Sequence, residues 1–153
     1  MTNRKKLAFV IATIVLFGAP FRLYGLNTHP PGLFGDEAAE GLDALSINAG
    51  ERPIFLTENN GREAMHAYLV AFSIRILGRT PTAVRLPSAI ASTVTTLGIF
   101  LVAHSLFGPR IAILAAFVSS FSVWQIMLGR LATRPALLPL FLAFSLWLAI
   151  DAW

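Results

Sequence analysis

The sequence predicts an all-α membrane protein, with about four transmembrane helices and two short amphipathic surface helices in its first external loop. Three observations predict it. Hydrophobic residues make up 56% of the chain and charged residues only 13%, against roughly 25% charged in a soluble domain. A small soluble domain has too much surface to leave so bare of charge. The apolar residues also fall in stretches near the roughly 20 residues that cross a hydrocarbon core. Finally, seven of the eight acidic residues lie between Asp36 and Glu63, the eighth being Asp151, so one segment between apolar stretches holds nearly every carboxylate.

The elements follow in order. Residues 1–26 hold a cytoplasmic N-terminus and the first span, LAFVIATIVLFGAPFRLYGL over 7–26. Arg4, Lys5 and Lys6 precede it and set the N-terminus inside by the positive-inside rule. A secretory signal peptide is the rival reading, but no A-x-A site closes the apolar core. Residues 27–83 form the external loop. Its His29-Pro30-Pro31-Gly32 opening is rigid and non-helical. Asp36 to Ala49 reads as an amphipathic helix, with Asp36, Glu40 and Asp43 on one face and Ala38, Leu42, Leu45 and Ala49 on the other. Such a helix lies along the membrane surface with its acids toward water or a cleft. Gly50 stops it, and residues 51–61 form a loop ending in Asn59-Asn60-Gly61. Residues 62–78 make a second interfacial or re-entrant helix, because too few uninterrupted apolar residues separate Glu63 from Arg75 for a span. Three spans follow over about 84–106, 111–128 and 136–153. The first is rich in small and hydroxyl residues suited to close helix packing. Phe107-Gly108-Pro109-Arg110 is a cytoplasmic turn, and residues 129–135 an external loop.

Several function classes are excluded. There is no cysteine, which removes disulfides and thiolate metal sites. The net charge of +4 is scattered singly beyond the N-terminal run, so nucleic-acid binding is not indicated. No Gly-rich phosphate loop, zinc spacing or Ser-His-Asp pattern is present. Two adjacent carboxylates leave room for a divalent cation, and no other cofactor is indicated.

On this topology three polar clusters share one side of the membrane: Asp36-Glu37, then Arg62-Glu63 with His66, then Arg130 and Arg134. External arginines run against the positive-inside bias, and an arginine fork fits phosphate. A carboxylate facing such a site can act as general base toward a hydroxyl. Structural readings stand beside this. Asp36 suits a helix N-cap, Glu37 and Glu40 suit a first helical turn, and Arg62 can pair with Glu63. His66 reads as a satisfied interfacial residue, and Arg130 and Arg134 can snorkel to headgroups. Arg22, Arg75, Arg79 and Arg85 read as headgroup anchors.

The stretches PPGLFGDEAAEGLDALSINAGERPIF, NNGREAMHAYLVAFSIRILGRTPTAVRLPSAIAS and HSLFGPRIAILAAFVSSFSVWQIMLGRLATRPALLPL, in that order, carry a resemblance. The chain resembles the N-terminal region of integral-membrane C-type glycosyltransferases related to the protein O-mannosyltransferases and the aminoarabinose transferases of lipid A. The resemblance covers about residues 7–150. It implies a partial C-type glycosyltransferase fold in a multi-pass plasma-membrane protein. It implies a polyprenyl-phosphate sugar donor, an acceptor that is a protein, lipid or glycan, and transfer with inversion. It implies Asp36 as base with Glu37 in support, and Arg62 and Arg130 on the lipid phosphate; Glu63, His66 and Arg134 are further candidates. The sequence departs from the family pattern at Ala64-Met65, where Pro-Leu is common, and at Arg134-Pro135, where many relatives carry Asp. Family members are also several times longer, so the expectation is an N-terminal fragment too short to turn over by itself. The alternative is a truncated, non-catalytic membrane protein, a remnant or an interaction subunit. A transporter ranks last, because its acids would lie within spans.

Overall fold

Helix length and apolarity decide the architecture. A computed structural model describes residues 3–57 and 61–153; the expected Asn59-Asn60 turn lies outside them, as do the side chains of Arg4 and Lys6. The chain runs α1 (Asn3–Leu23), α2 (Gly35–Ala49), β1 (Phe55–Leu56), β2 (Arg62–Glu63), α3 (Met65–Leu77), α4 (Pro81–Phe107), α5 (Pro109–Phe121), α6 (Val123–Arg130), a 3-10 turn (Arg134–Ala136) and α7 (Leu137–Asp151). Two helical stretches, Pro81–Phe107 and Arg134–Asp151, are long and apolar enough to cross a membrane. The α5–α6 pair is a third if taken as one span bent by 54°. The apolar part of α1, Leu7–Leu23, is shorter. This is an all-α polytopic membrane protein.

The long helix α4 is the hub, packing against α1, α3, α5, α6 and α7. Most of its buried side chains are small or hydroxylated, Ser88, Ala89, Ala91, Ser92, Thr95 and Thr96 among them. Small side chains let helix backbones approach closely where apolar burial gives no preference for protein over lipid. The approach is close enough that a Cβ on Gly98 would lie 2.8 Å from Ala143 Cβ, and one on Gly129 2.5 Å from Ser92 Cβ. At the other end of α1, Ile11 and Ile14 bury against Phe100, Ala103, Ala112 and Ala116.

Arg22, read from the sequence as a headgroup anchor, is buried inside this bundle at 1% exposure. It donates to Ser92 Oγ at 2.9 Å, to the Gly18 and Ser120 carbonyls at 3.0 and 2.8 Å, and to the Ser119 carbonyl at 3.0 Å. It pins α1 to α4 and α5. The bend between α5 and α6 sits beside it. Ser119 Oγ donates to Gln125 Oε1 at 2.7 Å, and Ser92 Oγ to the Gln125 carbonyl at 2.8 Å. Side chains inserted at the break replace the missing helical ladder.

The loop between α1 and α4 folds as α2 and α3 packed together over Ala44, Ile47, Ala67, Val70 and Ala71. The second surface helix begins at Met65. Arg62 and Glu63 instead form β2, paired antiparallel with Leu56 and Phe55. That pairing holds Arg62 in an extended backbone against α2.

Candidate functional site

The site is built on the first turn of α2. Phe34 is extended (φ −66°, ψ 158°) and is the N-cap, so Asp36 is not the capping residue its type suggested. Glu37, at the third helical position, does that work: its Oε2 accepts the Phe34 N–H at 2.9 Å. The same carboxylate accepts Arg85 Nε and Nη2 at 2.8 Å each, and the Ala132 N–H at 3.0 Å. Glu37 is 1% exposed and Arg85 0%. Arg85 spends its remaining donors on the carbonyls of Leu26 and Pro30, at 2.9 Å each, and of Gly32. All five guanidinium N–H groups are engaged, so Arg85 is no headgroup anchor. One ion pair ties the 26–34 segment, α2, α4 and the 131–136 segment together. Burial raises the Glu37 pKa, but the hydrogen bonds from Arg85, Phe34 and Ala132 and the charge of Arg85 outweigh it, and the carboxyl ends below its ordinary value.

With those segments clamped, a cavity of about 250 Å³ opens between them, lined by Asp36, Glu40, Arg62, Ala132, Thr133, Arg134 and Pro135. Asp36 is exposed on its wall. Arg62, 5% exposed, donates from Nη2 to Asp43 Oδ2, and its Nε lies 3.5 Å from Glu40 Oε1. Glu40 Oε2 lies 3.2 Å from His66 Nδ1, and His66 Nε2 lies 2.9 Å from Ser88 Oγ. Arg134 donates to Glu63 Oε2 at 3.0 Å across an exposed pair, 40% and 67% accessible. Glu63 is held below the ordinary carboxyl pKa by its own backbone N–H and, against the opposing effect of burial, by the charge and hydrogen bond of Arg134 and the charge of Arg62.

The structure thus brings Asp36, Arg62 and Arg134 to one cavity, with His66 and Glu63 directly behind two of its walls. Glu37 faces away from the cavity and fixes its frame. Arg130 lies elsewhere. It donates to the Phe21 and Tyr24 carbonyls at 2.9 Å each and to the His29 carbonyl at 2.8 Å, closing the end of α1. It lines a separate opening with Pro20, Phe21, Tyr24 and His29. Among the described residues, no group of three or more His, Asp or Glu is arranged to hold a metal ion. Sequence reasoning missed three contributors. Glu40 and Asp43 were visible as part of an i, i+4, i+7 acidic face turned toward water or a cleft but were given no site role; Arg85 carried no local signal of its partner on α2.

No curated protein and no solved structure matches this chain. A family model does, that of the dolichyl-phosphate-mannose-protein mannosyltransferases, over residues 62–153. The match starts at Arg62, so Asp36 and Glu37 precede it, yet it takes in the other cavity arginine, the hub helix and everything after them. It spans more than half of the sequence, and the chain belongs to the dolichyl-phosphate-mannose-protein mannosyltransferase family.

Proposed function

We propose that this chain carries the acceptor-activating, phosphate-facing part of a membrane glycosyltransferase. The enzyme moves a sugar, mannose in the family to which the chain belongs, from a polyprenyl phosphate to an acceptor hydroxyl on the external face of the plasma membrane. The N-terminus is then cytoplasmic. The observation that carries this reading is the shared cavity: Asp36 on one wall, Arg62 and Arg134 on the others.

The chemistry assigned to it is a single displacement. The Asp36 carboxylate takes the proton of the acceptor hydroxyl as that oxygen bonds to the anomeric carbon. The bond from that carbon to the lipid phosphate oxygen breaks, and the electron pair leaves with the phosphate, so configuration inverts. Charge developing on the leaving phosphate is met by arginine. Arg134 is the first contact, because its pair with Glu63 is exposed and exposed pairs are weak, about 0–1 kcal/mol. Exchanging that carboxylate for phosphate costs little. Arg62 adds positive charge from the opposite wall. Arg130 braces the segment carrying Arg134, and its own opening beside Tyr24 faces the lipid side of the donor.

The test is Asp36→Asn in the membrane glycosyltransferase of which this chain is proposed to be a part, assayed in membranes with dolichyl-phosphate mannose. Removal of a general base should lower transfer by about 10²–10⁴-fold with the amount of membrane-inserted protein unchanged. Transfer at the parent rate would remove Asp36 from the base role.

A further inference from the structure

A displacement in this cavity needs a base and a phosphate-facing cation at a fixed separation. The two stand on unequal supports. Asp36 is carried by α2, a helix of 15 residues. Arg62 is carried by β2, a strand of two residues paired with β1. So short a ribbon is marginally stable by itself, and side chains on loops are held less precisely than side chains on helices. Groups beyond its own backbone have to fix Arg62.

Those groups come from α2. Arg62 donates from Nη2 to Asp43 Oδ2, and its Nε lies 3.5 Å from Glu40 Oε1. Glu40 and Asp43 follow Asp36 by four and seven residues, which puts all three acids on one side of the helix. The arginine is thus strapped to the helix that carries the base. Glu40 is backed in turn: its Oε2 lies 3.2 Å from His66 Nδ1 on α3, and His66 Nε2 lies 2.9 Å from Ser88 Oγ on α4. Glu40, Arg62 and His66 are 4%, 5% and 0% exposed, so water does little to screen these contacts. Glu40 Oε2, Arg62 Nε and His66 Nδ1 have no aligned hydrogen-bond partner. Glu40 therefore holds Arg62 by charge attraction, which is strong in a dry site, and Asp43 holds it by a directed bond. Together they set where the guanidinium sits against the cavity that Arg62 lines.

We propose that Glu40 and Asp43 are positioning residues that hold Arg62 at a set distance from Asp36, with His66 bracing Glu40 from the hub helix. The strap deepens the glycosyl-transfer reading and rests on it: α2 is the ruler between the base and the donor phosphate. Two carboxylates beside an arginine reduce its pull on an anion, so their contribution to phosphate binding is geometric. The geometry matters, because a misplacement of about 1 Å in a reacting constellation can cost about 10²-fold.

Charge and geometry have opposite signs here, and binding separates them. The membrane glycosyltransferase of which this chain is proposed to be a part is titrated in micelles with dolichyl phosphate, as parent, Glu40→Gln, Arg62→Met and the double variant. Glu40→Gln keeps the shape of the side chain and removes its charge. On charge alone it tightens phosphate binding. As a positioning residue lost, it should weaken binding by about tenfold, within the coupling seen between contacting residues. In the Arg62→Met background that weakening should vanish, because no guanidinium remains to be placed. His66→Leu should weaken binding by about threefold or more in the parent and not in Glu40→Gln. If Glu40→Gln does not insert, Asp43→Asn takes its place with the same expected sign. Unchanged or tighter binding in Glu40→Gln overturns the positioning role. So does an equal loss with and without Arg62, which would report general damage. If Arg62→Met binds dolichyl phosphate like the parent, Arg62 is off the phosphate and the strap has nothing to place. A parent that binds no dolichyl phosphate overturns the donor reading, and the strap with it.

Discussion

Removing Arg85 should be among the most damaging single substitutions in the chain. Arg85→Met keeps a long apolar stem but deletes five donors. Two of them meet the Glu37 carboxylate at 2.8 Å, a bidentate, charge-assisted pair. Both partners are essentially inaccessible. Breaking a buried pair from one side leaves an uncompensated charge and costs about 3–5 kcal/mol. The carbonyls of Leu26, Pro30 and Gly32 also lose their donor, and the loss of the ion pair sets the minimum scale. The assay is unfolding in mixed micelles, comparing Arg85→Met, Glu37→Gln and the double variant. The double variant should be less damaging than the sum of the two, by about 1–3 kcal/mol, because it leaves no buried charge alone. A headgroup anchor would behave otherwise. If Arg85→Met costs less than about 1 kcal/mol, or the two substitutions simply add, the clamp is not what holds the site together.

The remaining predictions use the same frame. Because hydrogen bonds and the Arg85 charge hold Glu37 below its ordinary pKa, its stabilising contribution is fully present above about pH 4.3. It is lost as pH falls through the lower folded-state value; acid titration of unfolding should lose this component in Glu37→Gln. Gly129→Val should cost about 1–3 kcal/mol of overpacking, since its Cβ would meet Ser92 Cβ at 2.5 Å and Oγ at 2.7 Å and would disturb the Arg22–Ser92–Gln125 contacts. Gly35→Ala meets nothing within 4 Å and should unfold like the parent. Arg134→Gln should change stability by no more than about 1 kcal/mol, because its pair is exposed, yet raise the KM for dolichyl-phosphate mannose; an unchanged KM would remove Arg134 from the phosphate.

The order of helices was legible because bilayer thickness and glycine or proline stops are written locally. Gly50 ends α2, with its N–H on the Ile47 carbonyl at φ 120°, and Gly108-Pro109 separates α4 from α5. What the sequence did not disclose is which way α2 faces. The rule that apolar residues turn inward assumes water outside. Here Leu42 is 68% exposed, while Glu37 and Glu40 are 1% and 4%. The buried face of α2 carries Glu37 and Glu40 together with Ala44 and Ile47, while Asp36 stays exposed; polar groups on that inner face must find one another inside.

The same burial of polar groups accounts for Arg22 and Arg85, two of the four arginines assigned to headgroups. An arginine in an apolar stretch has two ways to avoid lipid: reach the interface, or reach fixed acceptors in the bundle. Local sequence is identical in both cases. The difference lies in partners 48 residues away for Arg85 and up to 98 away for Arg22, which no window of spacing contains. Asp36 and Arg62 could be singled out because a resemblance supplied their context. Glu40 and Ser88 could not, since their meeting through His66 depends on α2 turning Glu40 toward α3 and α4. The inward-facing Glu37 and Glu40 of α2 are therefore the common cause of the clamp and of the ion-paired cluster beside the cavity.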